Sequence, residues 1–436
     1  MSIRRSTPLA RFHERYRQQD NFDAAVPSRD AAIGNRAAGP NKGGKWIEVF
    51  LAFLSLGCTS FGGPIAHLGY FRSAFVERRQ WLTESAYAEI IALAQSMPGP
   101  ASSQVGFATG LLRAGWLGGL AAWVGFTLPS AALMLAFAYG YGHARGRIAE
   151  GILHGLQLVA VAVVAQAVVR MQRTLAPDVA RILLAAVGGS VALFAPPAWS
   201  TVCAIAAGAL AGLLLHRVSA SVPSDNEAQI EQSISQTGGS AALIAFLALL
   251  AIALLIAPAR SVLLAVPAAL YRTGALVFGG GHVVLPLLDA AIVHRGLVSQ
   301  SSFLAGYGAA QALPGPLFSI GAYIGAAVPS AHPLLLGLCS LLALFLPGLL
   351  LMTAVLPFWS KLRRRPLIRS LLWGINAAVV GVLAAALYRP LITTAIHSLT
   401  DVLIALAAFA LLVRFKLQPW AVVLAVASVS AVVALH

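Results

Sequence analysis

Long apolar runs alternate with short polar stretches along most of this chain. The runs are comparable in length to the roughly 20 residues that an α-helix needs to cross a bilayer. Of all residues, 58% are hydrophobic and only 10% are charged, whereas about a quarter of the residues in a soluble domain are charged. The pattern predicts an all-α polytopic membrane protein with about 12–13 membrane segments. The thirteen runs are Trp46–Tyr70, Tyr87–Leu112, Trp116–Tyr141, Ile152–Met171, Val179–Ala195, Trp199–Leu215, Ala241–Ala257, Val262–Ile292, Phe303–Val328, Leu334–Trp359, Leu367–Leu391, Leu399–Val413 and Trp420–Leu435.

Two polar stretches divide these runs into domains. Residues 1–44 are polar and basic and lack the apolar core of a cleavable signal peptide, so we expect a disordered cytoplasmic tail. Residues 217–239 are rich in Ser, Asp, Glu and Gln and predict a solvated linker. The linker separates an N-terminal repeat, 46–216, from a C-terminal repeat, 240–436, which begins with one extra helix at Ala241–Ala257.

The two repeats share a motif of seven residues. Ala94–Pro100 reads AQSMPGP and Ala310–Pro316 reads AQALPGP, and a Phe-Gly-Gly triplet precedes each, at Phe61–Gly63 and Phe278–Gly280. Matching positions stay 215 to 218 residues apart. Six runs plus the extra helix put an odd number of crossings between equivalent points. We therefore predict two inverted-topology repeats whose broken helices form one substrate site.

The distribution of charge favours a membrane topology over nucleic-acid binding. The chain carries a formal charge of +15, and nine of its 30 Lys and Arg lie in the first 45 residues. With a cytoplasmic N-terminus, the predicted loops place 22 of these residues inside and seven outside, as the positive-inside rule requires. The external cluster 72–79 fits least well. Either Tyr87–Leu112 or its counterpart could therefore be a re-entrant hairpin instead of a crossing.

The Pro-Gly-Pro sequences predict helix breaks. Proline cannot donate a backbone hydrogen bond, and unpaired backbone at membrane depth persists only when it is buried in protein or lines a cavity. Residues just after each break would restart a helix and point free N–H groups at the membrane centre, which suits an anion. The alternative is a kink that serves packing alone. The candidate residues at the breaks are Gln95, Pro98, Gly99, Pro100, Ser102 and Ser103, then Gln311, Pro314, Gly315, Pro316 and Ser319.

The Phe-Gly-Gly triplets supply a second set of candidates. Gly62, Gly63, Gly279 and Gly280 would let the backbone approach a ligand closely, although close helix packing is an equally good reason for them. A histidine follows each triplet. His67 and His282 are candidates for substrate or proton handling, with a structural role as the alternative.

Two ionisable residues in apolar surroundings are further candidates, because charges within membrane spans are costly. Arg72 closes the first run, and its guanidinium could contact an oxyanion with two donors. Asp289 lies seven residues after His282, and this pair could take up and release a proton. In the alternative interpretation, Asp289 pairs with Arg272 or Arg295 and only stabilises a helix.

Motifs of other functional classes are absent from the sequence. We find no nucleotide-binding P-loop, no HExxH, CxxC or GxSxG pattern, and the three cysteines lie far apart. We therefore expect no metal, no cofactor and no enzymatic activity, and a small anion and the lipid bilayer as the partners. A passive anion channel and a membrane-embedded transferase remain open at this point.

The motifs resemble the long-chain members of the chromate ion transporter family. The resemblance rests on FGGP with His67 and Arg72, the run Arg78-Arg79-x-Trp81-Leu82, and the two QxxPGP sequences. It implies export of chromate across the bacterial inner membrane, driven by the membrane potential or a proton gradient, with chromate resistance as the result. Sulfate is the expected competing analogue, and a sulfate permease is the main alternative. The oligomeric state, monomer or homodimer, stays open.

The resemblance is weaker in parts of the chain. Gly296-Leu297 stands where the first repeat has Gln80-Trp81-Leu82, so only the FGG and QxxPGP positions carry over to the second repeat. Residues 1–44 lie outside it.

Overall fold

A computed structural model describes residues 45–143, 145–215, 235–256, 261–363 and 365–435. The described residues are mostly helical and include no strand. The predicted tail 1–44 and residues 217–234 of the predicted linker lie outside them.

The helices follow one another with short connections. In the first half they are α1 Trp46–Thr59, α2 Gly63–Arg72, α3 Glu84–Gln95, α4 Ala101–His143, α5 Arg147–Leu175, α6 Val179–Phe194 and α7 Pro197–Leu215. In the second half they are α8 Gln236–Leu255, α9 Val262–Leu276, α10 Gly281–Val293, α11 Gln300–Ala312, α12 Leu317–Ala327, α13 Pro333–Val355, α14 Trp359–Arg363, α15 Pro366–Ala386, α16 Leu399–Val413 and α17 Pro419–Val433.

Five helices within the described ranges, α4, α5, α8, α13 and α15, are long and apolar enough to cross a membrane. Eight shorter helices, of 10–17 residues, are also apolar. Many large apolar side chains on their outer faces are exposed, such as Leu183, Leu214 and Leu255. The prediction of an α-helical polytopic membrane protein is confirmed.

The first two apolar runs differ from the sequence prediction. Trp46–Tyr70 was predicted to be one segment but forms α1 and α2, which are separated at Ser60–Gly62. Gly62 has a φ of 102°, which a continuous helix cannot include. Tyr87–Leu112 likewise falls into α3 and the first arm of α4, separated by residues 96–100.

A second break divides α4 into two arms, 101–113 and 116–143. Ala114 and Gly115 have non-helical backbone angles. The arms fold back on each other, because a Cβ added to Gly110 would lie 2.3 Å from the carbonyl oxygen of Gly118. The second arm contains 28 residues and is therefore about 42 Å long at 1.5 Å per residue, more than the ~30 Å core of a bilayer.

The start of α1 and the turn within α4 lie at the same end of the molecule. Arg113 donates to Glu48 over 3.3 Å, and the guanidinium groups of Arg79 and Arg113 lie 5.5 and 5.2 Å from the ring centre of Trp81. The prediction that the 72–79 cluster and Arg113 face opposite sides is therefore wrong. Both α1–α2 and α3–α4 are helical hairpins that open at this end, because glycine and proline reverse the chain at their tips.

The second half contains corresponding hairpins. The hydroxyls of Ser302, near the start of α11, and Tyr323, near the end of α12, lie 2.7 Å apart. The two helices are therefore antiparallel, with the second Pro-Gly-Pro sequence at their tip. Asp289 and His294 at the end of α10 lie close to the start of α11 and bond each other over 3.1 Å.

The two halves pack on each other through small residues. Helix α15 lies against α6 and α7, where Gly374 approaches Gly208 so closely that an added Cβ would lie 1.9 Å from its carbonyl oxygen. Helix α5 lies against α16 and α17, with Gly151 and Gly155 next to the α17 backbone. Each half thus covers one long helix of the other, and a larger side chain at these glycines would separate them.

We expect cysteines at positions 85 and 116 to react with an impermeant thiol reagent from the same side of the membrane. A cysteine at position 145 should react only from the opposite side, because the long arm of α4 separates it from the other two. The substitutions Ser85→Cys, Trp116→Cys and Arg145→Cys would be made singly, after replacing Cys58, Cys203 and Cys339. Labelling of positions 85 and 116 from opposite sides would contradict the hairpins.

Candidate functional site

The glycines of the two Pro-Gly-Pro motifs bind the backbone of the opposite half. Gly99 N–H donates to the carbonyl oxygen of Val277 over 2.8 Å, and Gly315 N–H donates to that of Ser60 over 2.9 Å. Each acceptor is the residue just before a Phe-Gly-Gly triplet. The φ angles of 125° at Gly99 and 93° at Gly315 lie in the left-handed region, which residues other than glycine rarely adopt. The two bonds therefore form a reciprocal pair between the motifs that the sequence singled out.

Each Pro-Gly-Pro loop also rests on the long helix of the other half. A Cβ on Gly99 would lie 2.9 Å from the Cα of Gly348 on α13, and one on Gly315 would lie 3.0 Å from the hydroxyl of Ser130 on α4. The side-chain amide of Gln104 fixes the first loop, since it donates to the carbonyls of Pro98 and Gly348 over 2.9 and 3.0 Å.

The tips of the Phe-Gly-Gly triplets meet between these loops. An added Cβ on Gly281 would lie 3.4 Å from Pro64 and 3.9 Å from Leu317. Beside Gly63 and Gly280 there is open space, because an added Cβ would find no atom within 4 Å. Both glycines are partly exposed. We call the space between the two triplets and the two Pro-Gly-Pro loops the central chamber.

His67 links a triplet to a helix restart. Its side chain is 1% exposed, with Nε2 3.2 Å from the Ser60 carbonyl oxygen and Nδ1 3.4 Å from the Ser102 hydroxyl. The ring also meets Phe126 edge-on. The neighbouring Ser103 is equally buried, and its hydroxyl has no hydrogen-bond partner among the described residues.

Four helices begin at the central chamber: α2 at Gly63, α4 at Ala101, α10 at Gly281 and α12 at Leu317. The first N–H groups of a helix have no partner within the helix and carry the positive end of its dipole. Four other helices, α1, α3, α9 and α11, end nearby and bring carbonyl oxygens.

Protein donors already cover several of these carbonyls. The Ser60 oxygen faces Gly315 and His67, the Val277 oxygen accepts from Gly99, and the Pro98 oxygen accepts from Gln104. These three carbonyls are therefore not available to a ligand, whereas the first N–H groups of the four helices have no partner within their helices.

The second half contributes a different polar chain. His282 Nδ1 lies 2.9 Å from the hydroxyl of Tyr307, and the buried amide nitrogen of Gln311 has no hydrogen-bond partner among the described residues. Ser319 is 1% exposed and its N–H donates to the Pro316 carbonyl. These predicted candidates therefore lie on the second-half side of the chamber.

Arg72 lies away from the chamber, and Gln95 lies near it but is exposed. Arg72 ends α2, about 15 Å from its start at 1.5 Å per residue, and binds Glu77 and Glu84 with its side chain 48% exposed. Glu84, and then Glu77, raise the pKa of the Arg72 guanidinium. Gln95 is the last residue of α3 and is exposed.

The predicted pair of Asp289 and His282 does not form. Asp289 is 4% exposed and pairs with His294 over 3.1 Å, while Arg272 donates to the Ala253 carbonyl. The segment changes from 3-10 to α to π helix between residues 281 and 293. A spacing of seven residues therefore does not bring the two side chains together.

Sequence reasoning missed two side chains. Gln104 and Tyr307 contact the motifs directly, and both are fully buried. Gln104 could have been found as the polar residue in the first turn after Pro100. No sequence signal pointed to Tyr307, because its contact with His282 spans 25 residues.

A sequence profile described as chromate transporter matches this chain twice, over residues 47–213 and 264–431. A probable chromate transport protein of Synechococcus elongatus is 28% identical over 87% of this chain and 93% of its own length. A chromate transport protein of Cupriavidus metallidurans is 27% identical over 85% and 88%. A chromate transport protein of Pseudomonas aeruginosa is 27% identical over 70% and 71%. No solved structure matches the chain.

We expect Gly99→Ala to lower the midpoint of thermal unfolding of the purified protein. The substitution strains a left-handed φ and places a Cβ 2.9 Å from the Cα of Gly348, at a cost of about 1–3 kcal/mol. Gly140→Ala is the matched control, since Gly140 is helical and exposed with no atom within 4 Å of an added Cβ. Equal midpoints for the two variants would show that the reciprocal contact contributes little to stability.

Proposed function

The chain belongs to the chromate transporter family, and we propose that it is a secondary transporter that exports chromate from the bacterial cytoplasm across the inner membrane. Chromate resistance would follow from this export. The proposal rests on one observation. Four helices begin at the chamber, and protein donors cover the carbonyl oxygens of Ser60, Val277 and Pro98 beside it.

The charge of the chamber suits a dianion. The positive end of a helix is equivalent to about half an elementary charge, so four helix starts supply roughly the two charges that chromate carries. A tetrahedral oxyanion has only acceptor atoms. Free N–H groups and the hydroxyls of Ser103 and Ser319 would donate to its oxygens, with His67 fixing the position of Ser102 beside them. Gly62, Gly63, Gly279 and Gly280 would allow close backbone approach.

We further propose that residues 46–216 and 240–436 are inverted repeats. The reciprocal bonds of Gly99 and Gly315 support a pseudo-twofold relation between them. The hairpins of the first half open at the Arg113 end. The hairpin of α11 and α12 in the second half opens at the other end, because the ring of Tyr323, whose hydroxyl bonds Ser302, lies 6.4 Å from the ring of Tyr141 near the end of α4.

The orientation follows from the charges. If the Arg113 end faces the cytoplasm, 14 of the 19 Lys and Arg in the described residues lie inside, four lie outside and Arg272 lies within a span. The sequence prediction placed 12 of these inside and six outside, and the difference arises because Arg72, Arg78 and Arg79 move inside while Arg295 moves outside. The positive-inside rule then supports a cytoplasmic N-terminus.

The membrane potential alone could drive export. Moving one charge across 100 mV is worth about 2.3 kcal/mol, so a dianion gains roughly 4.6 kcal/mol on leaving a cell with a negative interior. A passive anion channel would use the same energy, and a sulfate permease could use the same chamber, since sulfate is similar in size, charge and shape. Flux measurements separate these alternatives.

We expect everted membrane vesicles containing the protein to accumulate radiolabelled chromate, with sulfate as a competitor. Replacing Pro98, Gly99 and Pro100 together with alanine should abolish uptake, because the helix would run through the break and bury its free N–H groups. Pro267→Ala, within the continuous helix α9, is the matched control and should keep it.

The proposal of chromate transport fails if the well-expressed wild-type protein takes up no chromate. Uptake of sulfate alone would favour the permease. A single-channel current without saturation would favour the channel.

We expect His67→Ala to reduce chromate uptake about tenfold, and more than Arg72→Gln does. His67 is buried between Ser60 and Ser102, and loss of such a partner costs about 1–3 kcal/mol. Arg72 is already paired with two carboxylates away from the chamber. Initial rates of uptake would be compared at matched expression. A larger effect of Arg72→Gln would indicate that Arg72, and not His67, contributes more to the binding site.

A further inference from the structure

A second polar cluster lies away from the central chamber, where α5 of the first half meets α16 and α17 of the second. His154 Nε2 lies 2.7 Å from Asp401 Oδ1, and this contact joins the two halves. Asp401 is 7% exposed. Nothing in the proposed anion site uses either residue.

The carboxylate of Asp401 is held in place by its own helix. Its Oδ2 atom accepts from the N–H groups of His397 and Ser398 over 3.0 and 2.9 Å, and the Ser398 hydroxyl accepts in return from the Asp401 N–H. Such a capping box fixes both the backbone and the side chain. His154 is therefore the partner in the contact that is free to change its charge, and imidazole is the side chain that does so nearest neutral pH.

A cavity of about 240 Å³ adjoins the pair. Glu150, Ile404 and Ser430 are among its lining residues. Ser430 is 4% exposed and its hydroxyl has no hydrogen-bond partner among the described residues. The lining is mostly apolar, but Glu150, His154, Asp401 and Ser430 contribute polar groups, and the volume is enough for several water molecules. Such waters could bring a proton to the pair.

The other end of the molecule carries a contact at the corresponding helix positions with different chemistry. His154 is the eighth residue of α5 and Asp401 the third of α16, while Trp373 is the eighth residue of α15 and Arg181 the third of α6. The Arg181 guanidinium lies 5.8 Å from a ring centre of Trp373. Arginine stays charged at all relevant pH values. Equivalent contacts between the halves are thus titratable at one end and permanently charged at the other.

The chemistry of the cluster favours a proton over a metal ion. No group of three or more metal-binding side chains occurs in the part of the chain that the structure describes. Both oxygens of Asp401 are already engaged. The other ionisable groups near His154 are Glu150 on the same helix and His397, whose ring stacks on His154 with centres 6.2 Å apart.

Further ionisable groups come from neighbouring elements. The segment Leu387–Ile392, which packs on α5, carries Tyr388 and Arg389, and both are exposed. Helix α17 faces His154 with Ser430 and no ionisable side chain. The charge of the contact is therefore set mainly by the two histidines and the two carboxylates.

We propose that His154, Asp401 and the adjoining cavity form a proton-binding site that couples proton uptake from one side of the membrane to chromate movement. The proposal rests on the proposed transport function and adds its coupling ion. In the orientation given above, the proton comes from the side opposite the cytoplasm. A proton on His154 strengthens its attraction to Asp401 and so favours the arrangement in which the halves are closed at that end.

The test uses the full-length protein in liposomes, with chromate flux measured while the pH is varied on one side at a time. Wild-type flux should change roughly threefold or more between about pH 6 and pH 8 on the His154 side, the range in which imidazole titrates, and little with pH on the other side. His154→Gln should keep flux and lose this response. His143→Gln is the matched control, because His143 is exposed at the same end and contacts only the carbonyl of Tyr139 on its own helix.

A second variant copies the other end of the molecule. The double substitution His154→Trp with Asp401→Arg should also transport without a pH response. An unchanged pH response in His154→Gln, or a response to Na⁺ replacement by choline instead of to pH, would overturn the proton site.

A measurement without chromate separates this proposal from the transport function. Thermal unfolding of wild type and His154→Gln in detergent would be compared at several pH values. The midpoint of thermal unfolding of the wild type should exceed that of His154→Gln by more at about pH 6 than at about pH 8, because only a protonated imidazole forms an ion pair with Asp401. A pH-independent difference would overturn the proton site even if chromate transport is confirmed. If wild type carries no chromate, the transport proposal fails while this result still decides the proton site.

Discussion

Two backbone hydrogen bonds hold the centre of this molecule together. Gly99 and Gly315 each donate to a carbonyl just before the Phe-Gly-Gly triplet of the opposite half. Helices interrupted at membrane depth leave backbone groups that cannot bond to water, and each unpaired group costs several kcal/mol. Because each break is completed by the other half, neither half would be stable in this form alone. The same bonds occupy carbonyl oxygens while the helix starts keep free N–H groups, and this is the basis on which we propose that the chamber binds an anion.

The backbone contacts at the chamber are nearly the same in both halves, whereas the side chains around them differ. His67 contacts Ser102 in the first half, whereas His282 contacts Tyr307 in the second. At the periphery, His154 occupies the position that Trp373 occupies at the other end, and Asp401 occupies the position of Arg181. If the halves are inverted repeats, as proposed above, the two ends could exchange roles during transport, and these unequal side chains would give that exchange a direction.

The sequence was sufficient for the helical membrane architecture and for the motifs that meet at the chamber, since apolar length and helix-breaking residues are local properties. It did not reveal where the chain goes after a break. Trp46–Tyr70 is as apolar as a single crossing. The contacts of Arg113 with Glu48 and with the Trp81 ring show that the chain after α2 returns to the end from which α1 starts. Arg72 was misplaced for a related reason, because its partner Glu84 lies 12 residues later in another helix. The expected pair of Asp289 and His282 assumed a regular helix, which the π-helical turn at Asp289–Val293 interrupts.

The position of a bound chromate ion would test most directly whether the central chamber is the anion site. Chromium scatters X-rays anomalously, so a crystal grown with chromate would locate the ion independently of the protein density. We expect an anomalous peak in the central chamber, within hydrogen-bonding distance of the helix starts at Gly63, Ala101, Gly281 or Leu317. A peak beside Arg72, or none in the chamber at saturating chromate, would contradict it.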